Sequence, residues 1–246
     1  MDEGVFFFQD PRNFNDKRDC MCRYTYRGSE ADWKSFIMNP ERFVFLNRDK
    51  RRAFFKELKT RKFDWQQIYS LGKGNIFEDE KTLIRRYDDM GVLCLTANTN
   101  PEYMWREYGR EGNGFCLGFE LENIGAGHAL RFNDSEFSES YKSTCGSYVA
   151  AHKVNYDDEP FVFNRLVPNG SPFDFFTTKE TRWDKEDEWR LMMWTTDLRY
   201  PNDRRIHFHK DQLKSIEYGR KIDAEIKDKI KNIIEKKYPT SVSQLW

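Results

Sequence analysis

Trp183-Asp184-Lys185-Glu186-Asp187-Glu188-Trp189-Arg190-Leu191-Met192-Met193-Trp194 joins an acidic turn to an apolar, strand-like run. A strand sends alternate side chains to opposite faces, so backbone extended from Glu186 onward puts Glu186, Glu188 and Arg190 on one face and Trp189 and Leu191 on the other. Two carboxylates about 7 Å apart along a strand repel. Unless Arg190 or another cation neutralises them, one should titrate high or face water. Such a surface suits polarising a sugar hydroxyl or steadying a developing positive charge. The plainer reading of the same residues is a solvated acidic edge whose arginine pairs with a neighbour.

Outward from this strand, short apolar or alternating runs bounded by turn residues predict further strands over 5–9, 91–97, 115–121, 148–156, 205–209 and 214–218. Phe115-Cys116-Leu117-Gly118-Phe119-Glu120-Leu121 places its large apolar side chains at every second position, the pattern of a half-buried strand. Helices fill the remainder. Ser29 reads as an N-cap with acids in the first turn behind it, and Pro40 is expected to end that helix and start the next. The segment 41–62 carries nine basic residues against three acidic ones, interleaved with aromatics; a core helix with a basic outer face explains it, and so does a phosphate-contacting surface. Ile222, Ile226, Ile230, Ile233 and Ile234 recur at helical spacing and predict a helix over about 222–238 packed on the sheet, with Asp223/Lys227 and Glu225/Lys229 as outer pairs. With no repeat and no Pro/Gly/Ser-rich linker, the expectation is one α+β domain over 1–246: a bent or split antiparallel sheet flanked by helices.

Composition narrows the classes. The 246 residues can bury a sizeable core without staples, and the balance of 41 basic against 41 acidic residues gives no global field that would mark a nucleic-acid binder. The five cysteines are odd in number; Cys94 and Cys116 sit in apolar runs and read as buried thiols, and Cys20-x-Cys22 is too short for a usual zinc knuckle. Single thiols fit a reducing cytoplasm. The apolar run 5–8 is too short for a signal peptide or a membrane span, so no membrane partner is expected.

Three further constellations bear on chemistry. Asn15 and Asp16, after the run Phe6-Phe7-Phe8, either bond the backbone of a turn or form a ligand-contacting loop at a strand end. Met104, Trp105 and Tyr108 share one face of a short helix after Pro101; Gly109 to Gly114 then has its glycines in an order opposite to the dinucleotide fingerprint and reads as a connecting turn. His207-x-His209 puts two imidazoles on one strand face, without a visible third metal ligand nearby. No phosphate-binding P-loop and no nucleophile elbow occur, which excludes those hydrolase classes.

Phe6 to Pro11 with Phe14-Asn15-Asp16, Gly91 to Leu95 with Met104-Trp105-x-x-Tyr108 and Gly114 to Phe119, Trp183-x-x-Glu186-x-Glu188-Trp189-Arg190, and the closing Glu217-Tyr218-Gly219 together resemble a bacterial family catalogued as domain of unknown function 2971. The order of its elements is in turn similar to the mono-ADP-ribosyltransferase fold. That second resemblance implies an NAD-consuming, ADP-ribosyltransferase-like enzyme, with a setting in bacterial or phage conflict. Glu188 matches the catalytic glutamate and Glu186 the upstream one, stabilising an oxocarbenium-like state. Asn15, Asp16, Trp105, Tyr108 and Arg190 would then converge on NAD, with a protein or nucleic acid as acceptor and no metal required. It also implies that the chain starts at the family's second strand, so an upstream segment or a partner chain would supply the first. Lys17 stands where the family usually has a proline. A non-catalytic binding or regulatory module of the same fold is the alternative. A metal-dependent nuclease resting on the His pair and the acidic clusters 157–159 and 184–188 is the third reading.

Overall fold

A computed structural model of the chain describes residues 4–21, 23–64, 90–97, 102–125, 127–137, 142, 146–194, 204–238 and 244–245. Expectations that touch Cys22, Pro101, Cys145 and Thr195 lie outside these residues. The strands, in chain order, are β1 (Val5–Phe7), β2 (Arg23–Thr25), β3 (Met90–Thr96), β4 (Phe115–Phe119), β5 (Glu122–Asn123), β6 (His128–Arg131) and β7 (Tyr148–Lys153). They continue as β8 (Asn155–Tyr156), β9 (Val162–Asn164), β10 (Thr178–Lys179), β11 (Glu188–Trp194), β12 (Arg205–His207), β13 (Leu213–Tyr218) and β14 (Gln244–Leu245). The α-helices are α1 (Glu30–Met38), α2 (Arg48–Thr60), α3 (Glu102–Glu107) and α4 (Ala224–Lys237). Helices and antiparallel sheets thus mix as the sequence predicts. The contacts gather into two compact units, one of residues 1–19, 87–158 and 179–246, the other of 20–86 and 159–178.

In the first unit the main sheet has the order β3-β11-β7-β6-β5, with every neighbouring pair antiparallel. β11 is paired on both sides: Glu188 faces Thr96, Arg190 faces Cys94 on one neighbour and His152 on the other. β1 and β12 form an antiparallel ribbon. Gln9 exchanges two 2.9 Å backbone hydrogen bonds with Val92, and Phe132 bridges to Phe208, so the ribbon is tied to both β3 and β6. A third, split-off ladder runs β14-β13-β4, parallel between β13 and β14 and bulged near Leu213/Ser215. One glycine is obligatory here. A Cβ on Gly219 would strike the Gly112 carbonyl oxygen and carbon, which is backbone and has no rotamer with which to yield, whereas one on Gly118 would meet the Ser215 hydroxyl, which can rotate away.

Leu191 and Met193 from β11, Leu130 from β6, Phe8, Phe208 and Ile216 form one apolar core with Ile230 and Ile234 of α4. Each such buried side chain stabilises by about 1.5–3 kcal/mol relative to exposure. Ile230 and Ile234 of the helix thus share one core with Leu191 and Met193 of the Glu188 strand, but the helix's stripe is narrower than the isoleucine spacing implies. Ile226 is exposed and Ile222 and Ile233 are only partly covered. Asp223 does not pair with Lys227 either; it caps the helix, accepting from the Glu225 and Ile226 amides at 2.9 and 3.1 Å. A capping carboxylate satisfies otherwise unpaired amides, which a solvent-screened ion pair cannot do. Lys227 instead sits 4.7 Å over the Tyr218 ring, while Glu225 and Lys229 do pair, at 2.7 Å.

The second unit packs α1 on α2 around Trp33, Ile37, Phe43, Phe54 and Leu58, beside the parallel pair β2-β9. Ser29 and Asp32 form a reciprocal capping box at the start of α1. Pro40 does not start the next helix: residues 40–46 are turns, and α2 begins at Arg48 because the Asn47 side chain accepts from the Lys50 amide at 2.9 Å.

Candidate functional site

The acidic turn before β11 is not extended. Thr181–Glu186 forms a 3-10 helix and Asp187 takes a left-handed conformation, with φ of 40°, before the strand opens at Glu188. Glu186 and Glu188 therefore do not share a face by strand alternation, contrary to the sequence reading. They meet through a cation that the reading did not single out. The Lys179 ammonium donates to Glu186 Oε2 at 2.5 Å and to Glu188 Oε2 at 2.9 Å. The turn is held from beneath by the Thr96 hydroxyl, which donates to the Glu186 carbonyl at 2.5 Å.

Arg190 completes the cluster. Its Nε donates to Glu188 Oε1 at 2.7 Å and its Nη2 to Glu188 Oε2 at 3.1 Å, while Nη1 and Nη2 grip both oxygens of Asp19 at 2.8 and 2.7 Å. Arg190 is fully buried, and Glu186 and Glu188 are each 3% exposed. The guanidinium is a brace between two carboxylates rather than a free anion-binding group, and this corrects its expected role as a cofactor contact. The repulsion anticipated between the glutamates is resolved by the two cations rather than by exposure. Among the described residues the cluster holds Asp19, Glu186 and Glu188 against Lys179 and Arg190, so negative charge is in excess.

Burial alone would raise the Glu188 carboxyl, but Arg190 and Lys179, with the Cys94 thiol, outweigh it and hold the group down at about 2. Burial likewise would lower Lys179, and the charges of Glu188 and Glu186 reverse this, keeping the amine firmly protonated. The Tyr108 hydroxyl donates to Glu186 Oε1 at 2.5 Å; burial of that oxygen and the adjacent carboxylate push its ionisation far up, so it remains a donor. The Tyr108 residue as a whole is 60% exposed, with the ring in solvent and the hydroxyl turned inward. The Glu188 amide donates to the Tyr156 hydroxyl at 2.8 Å.

Cys94, opposite Arg190 on β3, is solvent-accessible and not the buried thiol that its apolar neighbours suggest. It faces the polar side of the strand pair, whereas Leu93 and Leu95 turn to the core. Crowding by surrounding protein and the charge of Glu188 push its thiol well up, so it stays protonated against that carboxylate. Cys116 is exposed as well, and Cys20 is buried.

Of the other expected contacts, Asp16 lies next to this assembly. Its Oδ1 accepts from the Arg18 amide at 2.9 Å, closing a local turn, and its Oδ2 accepts from the Trp183 indole at 2.8 Å and Arg182 at 3.0 Å. Burial would raise the carboxyl, and these donors together lower it. Phe14 lies under Arg190, its ring centroid 5.6 Å from the guanidinium carbon. Asn15 is exposed, and Trp105 is half-buried with its ring packed on Gly109. Neither is brought against Glu188 by a hydrogen bond. His207 and His209 are taken up by Glu136 at 2.8 Å and Asp211 at 2.5 Å. Asp158 accepts from the Thr181 amide and hydroxyl. Among the described residues, no group of three or more His, Cys, Asp or Glu side chains is placed to hold a metal ion.

Residues 104–191 match the family described as "Protein of unknown function (DUF2971)", in agreement with the resemblance read from the sequence; the matched segment includes Tyr108, Lys179, Glu186, Glu188 and Arg190. No curated protein and no solved structure matches the chain. No described helix is long and apolar enough to cross a membrane.

Proposed function

We propose that this chain, a bearer of the DUF2971 segment, is an NAD-consuming, ADP-ribosyltransferase-like enzyme with Glu188 as its charge-stabilising carboxylate. The observation that carries the reading is a fixed, ionised Glu188 in a cluster that holds, among the described residues, more carboxylates than cations. Breaking the bond between the ribose and nicotinamide sends the bonding pair to the nicotinamide nitrogen and leaves positive charge on the ribosyl carbon. A preorganised anion lowers the cost of that charge without reorganising as the reaction proceeds. The split antiparallel sheet and the late glutamate at the head of a central strand are in keeping with the fold resemblance.

Glu188 accepts three hydrogen bonds from Arg190 and Lys179, and the Cys94 thiol lies against it as a further donor. A thiol is the weakest of these donors, and Cys94 is solvent-accessible. In this reading a ribose hydroxyl takes the place of the thiol on Glu188. Tyr108, with its exposed ring and anchored hydroxyl, supplies a wall for the ligand. The acceptor is a protein or a nucleic acid.

One observation favours a second reading, a non-catalytic binding module: the donors on Glu188 are already protein groups and the residue is almost wholly buried. Nicotinamide release from NAD, measured beside calorimetric NAD binding for wild type and Glu188→Gln, separates the two. The enzyme reading expects release by wild type and a loss of about a hundredfold or more in the variant, the scale of removing a transition-state charge partner. NAD binding without release leaves the binding module. Neither binding nor release defeats NAD altogether.

A further inference from the structure

The basic helix of the second unit is not explained by the Glu188 cluster, and it stands independently of the function proposed for that cluster. Phe54 and Leu58 bury one face of α2. Arg48, Arg52 and Lys56 recur at four-residue spacing on the opposite face, all exposed. Neighbours at that spacing stand about 6 Å apart on a helix surface, close to the spacing of successive phosphates in an extended strand. Compensation is slight among the described residues: Arg52 has a loose, highly exposed contact with Asp49 at 3.7 Å, and no described carboxylate pairs with Arg48 or Lys56.

Just before the helix, Val44 is 80% and Phe45 60% exposed. Phe45 is not loosely displayed, because its ring meets the buried Phe43 edge-on, with centroids 6.2 Å apart. A braced, solvent-facing aromatic ring at the end of a cationic ridge combines the two elements that bind single-stranded nucleic acid without sequence preference, a stacking platform and a charge track. We propose that the outer face of α2, with Phe45, binds single-stranded nucleic acid, Arg48, Arg52 and Lys56 tracking the phosphates and Phe45 stacking on a base.

Fluorescence anisotropy of a labelled oligothymidine with the full chain at low salt, about 50 mM, tests this. Saturable binding is expected. The triple variant Arg48→Glu, Arg52→Glu, Lys56→Glu should weaken it at least about tenfold and flatten the dependence of log affinity on log salt by about 2, from three phosphate contacts at about 0.7 each. Phe45→Ser should weaken it about tenfold with the salt slope unchanged. All four sites are exposed, so the variants should retain the circular dichroism of wild type. Absent or unsaturable binding, variants that bind like wild type, equal affinity for a duplex, or capture by anionic vesicles without oligonucleotide binding would each overturn the proposal.

Discussion

Replacing Arg190 by Met keeps much of the side chain's apolar stem and removes its charge and all its donors. In the wild type that guanidinium makes four hydrogen bonds of 2.7–3.1 Å to Asp19 and Glu188, with no solvent to substitute for it. Removing one partner of a buried ion pair costs about 3–5 kcal/mol, because the other charge is left uncompensated. For a chain of this size each kcal/mol lowers the melting temperature by about 2–4 °C, so a fall of roughly 6–20 °C is expected at pH 7. The pH dependence carries a sign of its own. In the wild type Glu188 is held at about 2, below its ordinary 4.5, so its stabilisation is fully present above that ordinary value and is lost as pH falls toward 2. Without Arg190, burial acts on Glu188 with less opposition and the protonated form gains ground in the folded state. The deficit of Arg190→Met should therefore be largest at neutral pH and shrink below about pH 5. Thermal melts followed by tryptophan fluorescence at pH 7 and pH 4 read both effects. A melting temperature within about 2 °C of wild type at pH 7, or a deficit that grows on acidification, would refute the buried-brace account.

Acidifying the wild type alone should remove about 3 kcal/mol attributable to Glu188 between its ordinary value and 2, visible as a falling urea midpoint across that window. Gly219→Ala should lower the melting temperature by several degrees, since its Cβ meets the Gly112 backbone; an unchanged melt would mean that the β13 end yields more easily than its packing implies. Ile234→Ala should cost about 2–5 kcal/mol by urea denaturation, whereas Ile226→Ala, on the exposed side of the same helix, should cost less than about 1.

The strands were legible where they alternate. Val5 to Phe7, β3, β4, β11, β12 and β13 all fall within a residue or two of the runs that announce them, and the run 148–156 is divided between β7 and β8. β2 and β9 escape because each is three residues long, too short for a period to register, and is held by its partner rather than by its own pattern. The site was legible in part. The Glu-x-Glu-Trp-Arg segment does carry a buried charge cluster, and Tyr108 and Asp16 do lie on it or beside it. Its geometry was not, because the left-handed Asp187 breaks the alternation that the sequence reading extends through Glu186. Lys179 and Asp19 have no sequence signal: one is a cation among 41, the other an acid among 41, and long-range tertiary contact alone makes them partners of Glu188 and Arg190. Lys179 could have been suspected only from the rule that two buried carboxylates need more than one cation.

Glu188 stands in the fold as a fixed, ionised carboxylate. Its titration can be followed by side-chain carboxyl-carbon NMR in protein labelled at glutamate, assigned by comparison with Glu188→Gln. A Glu188 signal that stays ionised down to about 2 is the predicted result; a Glu188 that titrates at or above the ordinary 4.5 contradicts it.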